Sequence, residues 1–326
     1  MNQKLIIKCF LFIFVGSLLL SSCVSTPESN SSIKINTSSG SVQGAIKRGI
    51  LFWEDIPYAV APVGDLRWKA PREFVSPESF IKSKEGNGCL QQASIYAGIQ
   101  GEGIVGQEDC LYLDIQAPVN NSNRRLPVMF WIHGGGNTSG VKDYYDFSEF
   151  IKQQQVIVVT INYRLGPMGW FTHPAIQGPQ NGLDKTSNFG TLDIIQALRW
   201  VQNNITEFGG DSDNVTIFGE SAGGHNVLSL LSSPISEGLF HKAISQSGYT
   251  TTFTLEESFG SDLNGDTVNE LGSDLVLSQN DLSGYGSIKK LYMEDPLKYG
   301  KEFQRYLRSI DGKDLFNAYN KISDDT

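Results

Sequence analysis

The sequence predicts an α/β fold built on a mainly parallel, doubly wound sheet, and three apolar stretches carry that prediction. Val215–Phe218 and Leu126–Ile132 are short apolar or β-branched runs that each empty into glycines, and Val156–Asn162 is a third continuous run. Strands covered on both faces need such unbroken runs, whereas half-exposed strands alternate. Helical spacing returns between them, with Ile194, Leu198, Val201 and Ile205 along one face of a helix over Leu192–Asn203 and Thr191 as its N-cap. Lys242–Ser245 reads as the next strand. Strands and helices alternating at this spacing give parallel crossovers.

Taken in order, the chain begins differently. Lys4 and Lys8 flank an apolar run, Cys9–Leu20, that is too short to span a bilayer as a normal helix. A charged start and an apolar middle are the marks of a secretory signal, expected over residues 1–22. Leu20-Ser21-Ser22-Cys23 looks like a bacterial lipobox, cut before a cysteine that is then lipidated; an ordinary signal with a chance cysteine is the alternative. Residues 24–33 are small and polar, so residues 23–33 read as a flexible tether. Ile35–Val42 alternates around Ser38-Ser39-Gly40 as an edge hairpin does.

Residues 215–224 carry the chemistry. A strand, then Gly219-Glu220-Ser221-Ala222-Gly223, then Val227, Leu228, Leu230 and Leu231 at helical spacing describe a strand that turns straight into a helix. The residue at such a turn is forced into strained backbone geometry and needs small neighbours, which Gly219 and Gly223 supply. Ser221 is thereby presented at the tip of the sheet as a candidate nucleophile. Upstream, Leu126–Ile132 runs into His133-Gly134-Gly135-Gly136. Backbone N–H groups free of side chains stabilise the negative charge that builds up in acyl transfer. A flexible glycine turn is the plain alternative for that stretch.

Several further blocks follow one order: Ile56-Pro57-Tyr58-Ala59 with Leu66-Arg67-Trp68, then Glu108–Leu113, the glycine run, and Asn162-Tyr163-Arg164-Leu165-Gly166. Leu198–Gln202, Phe208-Gly209-Gly210-Asp211, the serine turn and Gln246-Ser247-Gly248 complete it. With these blocks the chain resembles the type-B carboxylesterases, the α/β-hydrolase family that includes cholinesterases and para-nitrobenzyl esterases. The likeness runs from about residue 34 to the end. It implies an α/β-hydrolase domain over residues 34–326, a carboxylic ester as substrate, and an acyl-enzyme on Ser221. It also implies an oxyanion hole from Gly135, Gly136 and Ala222, and supporting roles for Glu220 and Ser247. Asp55 stands where the family commonly has glycine.

Cys89 and Cys110 remain once Cys9 leaves with the signal and Cys23 takes the lipid. Both sit where the family carries its first disulfide, and disulfides persist in exported proteins. Two free buried thiols are the alternative. No Cys/His spacing suggests a metal site, and no cofactor is expected.

A serine needs a base, and the base an orienting acid. Only His225 and His241 follow Ser221. The first sits one turn into a helix leading away from the serine, and the second starts the next strand at its far end. His133 lies upstream and is read as orienting the glycine loop. Asp324 and Asp325 come late enough to tempt as the acid, but no acid-bearing strand precedes them. The expectation is a hydrolase fold that stops after its sixth core strand, leaving the acid and the histidine absent and an apolar sheet edge uncovered. The rival from another class is a non-catalytic cholinesterase-like adhesion module. Retention of Ser221 and the glycine run favours the enzyme; absence of the histidine favours the rival.

Losing residues 1–22 removes Lys4 and Lys8 and no acidic residue, so the formal net charge moves from −9 to −11. An acidic surface argues against nucleic acid and against electrostatic binding to anionic lipid. Attachment to the bacterial cell envelope then rests on the lipid at Cys23, each buried methylene contributing about 0.8 kcal/mol. The sequence leaves the oligomeric state open. Metabolic labelling with a fatty acid checks the anchor. Wild-type protein is expected to carry the label and Cys23→Ser none; equal labelling of both contradicts the lipobox.

Overall fold

Among the described residues ten strands form, and the apolar runs read above meet two demands at once, burial on the sheet faces and pairing along its edges. The computed structural model describes residues 33–76, 81, 88–119, 125–260, 272–280 and 282–325. The signal, Cys23 and nearly all of the tether lie outside the described residues; Ile33, the last tether position, opens the first strand.

The strands are β1 (Ile33–Thr37), β2 (Gly40–Lys47), β3 (Ile50–Pro57), β4 (Gln91–Ser94) and β5 (Ile99–Val105), followed by β6 (Tyr112–Pro118), β7 (Leu126–Ile132), β8 (Ile157–Ile161), β9 (Gly210–Glu220) and β10 (Lys242–Gln246). Eight of them make one sheet in the order β1-β2-β3-β6-β8-β7-β9-β10, and β4 and β5 pair separately. The half that carries the serine turn, β8-β7-β9-β10, is parallel throughout. The other half, from β1 to the β6–β8 pairing, is antiparallel. Among the described residues β10 pairs only with β9, and Ile244 on it is 45% exposed.

Alternate side chains of the parallel strands face two different layers. Val128, Phe130, Ile132, Val159, Val215 and Ile217 join the main core, whereas Val158 and Met129 meet Ile151 across the sheet. Ile151 belongs to α1 (Ser148–Gln154), which connects β7 to β8. After the short turns α2 (Gly166–Gly169) and α3 (Pro174–Gln177), α4 (Phe189–Asn204) brings Ile194, Leu198 and Val201 to the main core. It is joined there by Val227 and Leu230 of α5 (Ala222–Ser232), the helix between β9 and β10. Helices on both faces make the sheet doubly wound.

One local expectation is corrected. α4 starts at Phe189, behind Asn188, and not behind Thr191. The reason is burial: Phe189 is fully buried, and Gly190 lies so close to Trp170 that a Cβ there would come within 2.4 Å of the ring. That packing extends the helix by three residues, nearly a full turn. The polar tail is helical as expected, with α6 (Leu255–Phe259), α7 (Ser273–Gln279), α8 (Tyr285–Glu294), α9 (Pro296–Ser309) and α10 (Gly312–Asp325). No helix among the described residues is long and apolar enough to cross a membrane.

Asp55 occupies the left-handed region, φ 57°, at an irregularity in the β3–β6 register between Trp53 and Ile56. That conformation costs a non-glycine residue energy. Its side chain is retained by an ion pair with Lys142 at 2.8 Å.

Cys89 and Cys110 are joined by a disulfide that spans 21 residues and sits in the core. Closing a loop of that size should stabilise the fold by roughly 3 kcal/mol on the chain-entropy estimate. Reduction is therefore expected to lower the denaturation midpoint, and thiol titration of unreduced protein should find Cys89 and Cys110 unreactive. Two reactive thiols at these positions contradict the bridge.

Candidate active site

Ser221 stands at the junction of β9 and α5 with φ 53° and ψ −119°, outside the regions an L-residue ordinarily occupies. The glycines around it explain how the turn closes. A Cβ on Gly223 would lie 2.1 Å from the Ile132 carbonyl, and one on Gly219 would lie 2.6 Å from Gly223 itself. Ser221 N–H donates to the Gln246 carbonyl at 2.9 Å, and its own carbonyl accepts from His225 N–H at 2.9 Å. The backbone is thus pinned on both sides while the side chain stays partly exposed. Ala222 N–H, the first of the helix, has no intrahelical acceptor and carries the positive end of the helix dipole.

The glycine loop leaves β7 alongside. His133 is fully buried, stacks on Tyr163 with ring centres 4.4 Å apart, and shares a hydrogen bond with the Gly134 carbonyl at 2.9 Å. Its ring therefore lies against the start of the glycine loop. Gly134 backs onto the serine turn so closely that a Cβ would lie 2.7 Å from the Glu220 carbonyl and 3.4 Å from Ser221 Cβ. Its backbone hydrogen-bonds the Tyr145 hydroxyl. Gly135 and Gly136 follow with φ 95° and 63° and are exposed. The Gly135 carbonyl turns back to accept from Thr138 N–H at 3.0 Å and Ser139 N–H at 2.9 Å, while the N–H groups of Gly135 and Gly136 have no acceptor among the described residues. Two free amides beside a serine, with a helix N-terminus next to it, can stabilise an oxyanion.

Residues no sequence motif marked hold this loop. The Gln91 carboxamide pairs with Gly140 as a peptide would, accepting its N–H at 2.7 Å and donating to its carbonyl at 3.0 Å. Two residues on, the buried Lys142 ammonium bonds Asp55 and Asp114 at 2.8 Å each and Asp143 at 2.5 Å. Burial alone would lower its pKa, but Asp114, Asp143 and Asp55 outweigh that and hold it raised. The three carboxylates lie within 4.8 Å of one another, the spacing of a cation site, and the lysine already supplies the cation. Glycine spacing found the loop; nothing in the spacing of Gln91 or Lys142 signals their partners.

Glu220 and Ser247 lie beside the serine turn, both exposed, with Ser247 in the left-handed region at φ 51°. Burial raises the Tyr145 hydroxyl pKa, and the Glu220 charge adds to the shift.

Each of the four histidines has a ring nitrogen bonded to a group other than Ser221, while the buried His133 Nε2 has no partner among the described residues. His225 Nδ1 bonds the Tyr249 carbonyl at 2.6 Å and stacks on that ring. His241 Nδ1 accepts from Val215 N–H at 3.2 Å, and the register Lys242↔Thr216 sets it at the far end of the strands from Ser221. His173 is buried in a chain to Tyr285, at 3.0 Å, and on to Asp274, at 2.6 Å. Its other ring nitrogen accepts from Ala175 N–H, which fixes the tautomer without any serine. The side chains of Asp324 and Asp325 lie outside the described residues.

Comparison with known proteins follows this geometry. The model of the carboxylesterase family matches residues 31–322. A para-nitrobenzyl esterase of Bacillus subtilis (strain 168) is 41% identical over 227 residues, covering 69% of this chain and 45% of that protein. A fumonisin B1 esterase of Sphingopyxis macrogoltabida is 41% identical over 249 residues, 74% of this chain and 43% of its own. A solved PNB esterase superimposes with a TM-score of 0.71 at 33% identity, over 89% of this chain and 53% of that one. The chain spans about half the length of these relatives.

Burial pulls the His133 imidazole down to about 4. Below pH 6.5 the unfolded chain takes up a proton that the folded chain refuses until about pH 4, so the neutral ring's contribution is lost as pH falls through that window. On the order of 3 kcal/mol should disappear between those limits. Urea denaturation is expected to show a shallower loss over that range for His133→Gln than for wild type; parallel profiles contradict it.

Proposed function

The chain belongs to the carboxylesterase family, and from that premise we propose that the protein hydrolyses small-molecule carboxylic esters through an acyl-enzyme on Ser221. The observation that carries this reading is the pairing of a strained serine with unpaired amides at one sheet tip. Ser221 Oγ attacks the ester carbonyl and gives its proton to a base. The carbonyl oxygen, now negative, is held by the N–H groups of Gly135, Gly136 and Ala222. Collapse expels the alcohol with that proton, and water then releases the acid by the same route in reverse.

The reading that the base is none of the four histidines present is supported by their hydrogen bonds, each of them having a ring nitrogen held by a group other than Ser221. We assign the base and its acid to residues outside the 326 given. Glu220, next to the serine, and Ser247, after β10, support the imidazole there. The enzyme is exported and anchored by lipid at Cys23, so substrate reaches it in the cell envelope. A binding module is the second reading, favoured by the engaged histidines alone. Binding requires neither a strained serine nor free amides.

Steady-state hydrolysis of short nitrophenyl esters by residues 23–326, with Ser221→Ala as control, tests the assignment. Turnover several orders of magnitude below a typical 10 per second is expected, with a residue of rate from the oxyanion donors. Turnover near 10 per second that vanishes in Ser221→Ala would place the base within this chain.

A further inference from the structure

The free amides of Gly135 and Gly136 are useful only if they keep a fixed distance from Ser221, yet they sit on an exposed loop tip of a different element. One buried side chain joins the two. Asn226 is 1% exposed and lies on α5, five residues after Ser221. Its amide donates to Asn137 Oδ1 at 2.8 Å, immediately after the glycines. It also hydrogen-bonds the Tyr163 hydroxyl. That hydroxyl in turn donates to the His133 carbonyl at 2.7 Å, immediately before the glycines. Asn137 itself is left-handed, φ 58°, and its carbonyl accepts from Gly166 N–H at 2.7 Å. Asn226 therefore reaches both ends of the tip, with a longer Tyr163 hydroxyl–Asn137 Oδ1 contact of 3.4 Å beside it, and it is carried by the same helix that carries Ser221 and the Ala222 amide.

We propose that Asn226 is a positioning residue that registers the Gly135–Gly136 amides to Ser221 through Asn137 on one side and Tyr163 on the other. The catalytic part of this rests on the reading of Ser221 as nucleophile; the tethering part does not. Preorganised donors act because they need no reorganisation as charge develops. A tip released from α5 would have to be reordered in every transition state.

Two measurements separate these parts. Hydrogen exchange by mass spectrometry on residues 23–326 reads the tether without any turnover. Exchange in the 133–140 segment should quicken about tenfold in Asn226→Leu, the effect of losing one or two hydrogen bonds, while β7 and β9 stay unchanged. Asn137→Gly, which suits the left-handed backbone and keeps the core intact, should give the same acceleration, and the double variant no more. Unchanged exchange at 133–140, or equal acceleration in β7 and β9, overturns the tether. The second measurement compares hydrolysis of a nitrophenyl ester with that of its thionoester in the enzyme with its base in place. Sulfur fits an oxygen-tuned set of amides poorly, and the rate ratio cancels any loss of folded protein. The oxygen-over-sulfur ratio of kcat/KM should fall about tenfold in Asn226→Leu with KM for the ester little changed. An unchanged ratio overturns the catalytic role. Hydrolysis that survives Ser221→Ala would instead overturn the nucleophile assignment and leave the tether to be judged on exchange alone.

Discussion

The close approach of three backbones at the tip of the parallel sheet is the constraint on which the site depends. β7 ends at Ile132, β9 ends at Glu220, and α5 begins between them. Gly223 packs against the Ile132 carbonyl, Gly134 against the Glu220 carbonyl, and Gly224 against the Gln246 carbonyl, each at a distance a Cβ would violate. Side-chain-free residues permit contacts that set Ser221 at positive φ and keep it there. The strain is offset by the parallel pairing of β9 with both β7 and β10, which buries Val215 and Ile217 completely. Loss of one methylene's worth of space at any of these glycines would separate the serine from the loop.

A second layer of buried polar groups holds the loops that such a junction leaves hanging. Arg164 grips Asp193 with two bonds of 2.7 and 2.8 Å, tying the segment after β8 to α4. Lys142 ties the end of the glycine loop to β3 and β6 through Asp55 and Asp114. Breaking one partner of such a buried pair costs about 3–5 kcal/mol because the other charge is stranded. Neither pair adds much to the net stability of folding. Their effect is to leave the loops one geometry, which is what fixed amide donors require.

Much of this was legible in the residues, for a physical reason. An apolar run followed by glycine, serine and glycine leaves few backbone paths, so the turn at Ser221 and the loop after Ile132 could be placed to the residue. The places of His225, one turn into α5, and of His241, at the far end of β10, were legible from helix direction and strand end. The direction of the strands was less legible: a buried run looks alike in parallel and antiparallel sheets, and half of this sheet is antiparallel. The start of α4 was missed because Thr191 is a good cap in isolation, whereas Phe189 is drawn into the core. Gln91, Asn137, Lys142 and Asn226 were invisible for a different reason. Asp143 beside Lys142 apart, the side-chain partners named above are 26 to 89 positions away, and no local spacing records such a pairing.

The central claim is that the amides of Gly135, Gly136 and Ala222 converge on the oxygen of a group bound to Ser221. A crystal structure of an arylboronic acid adduct tests it directly, because boron takes up the tetrahedral shape of the intermediate. The account predicts a B–O bond to Ser221 Oγ and a second boronate oxygen within about 2.7–3.1 Å of those N–H groups. A boronate bound to Ser221 with that oxygen turned to solvent, and the three amides unoccupied, would contradict it.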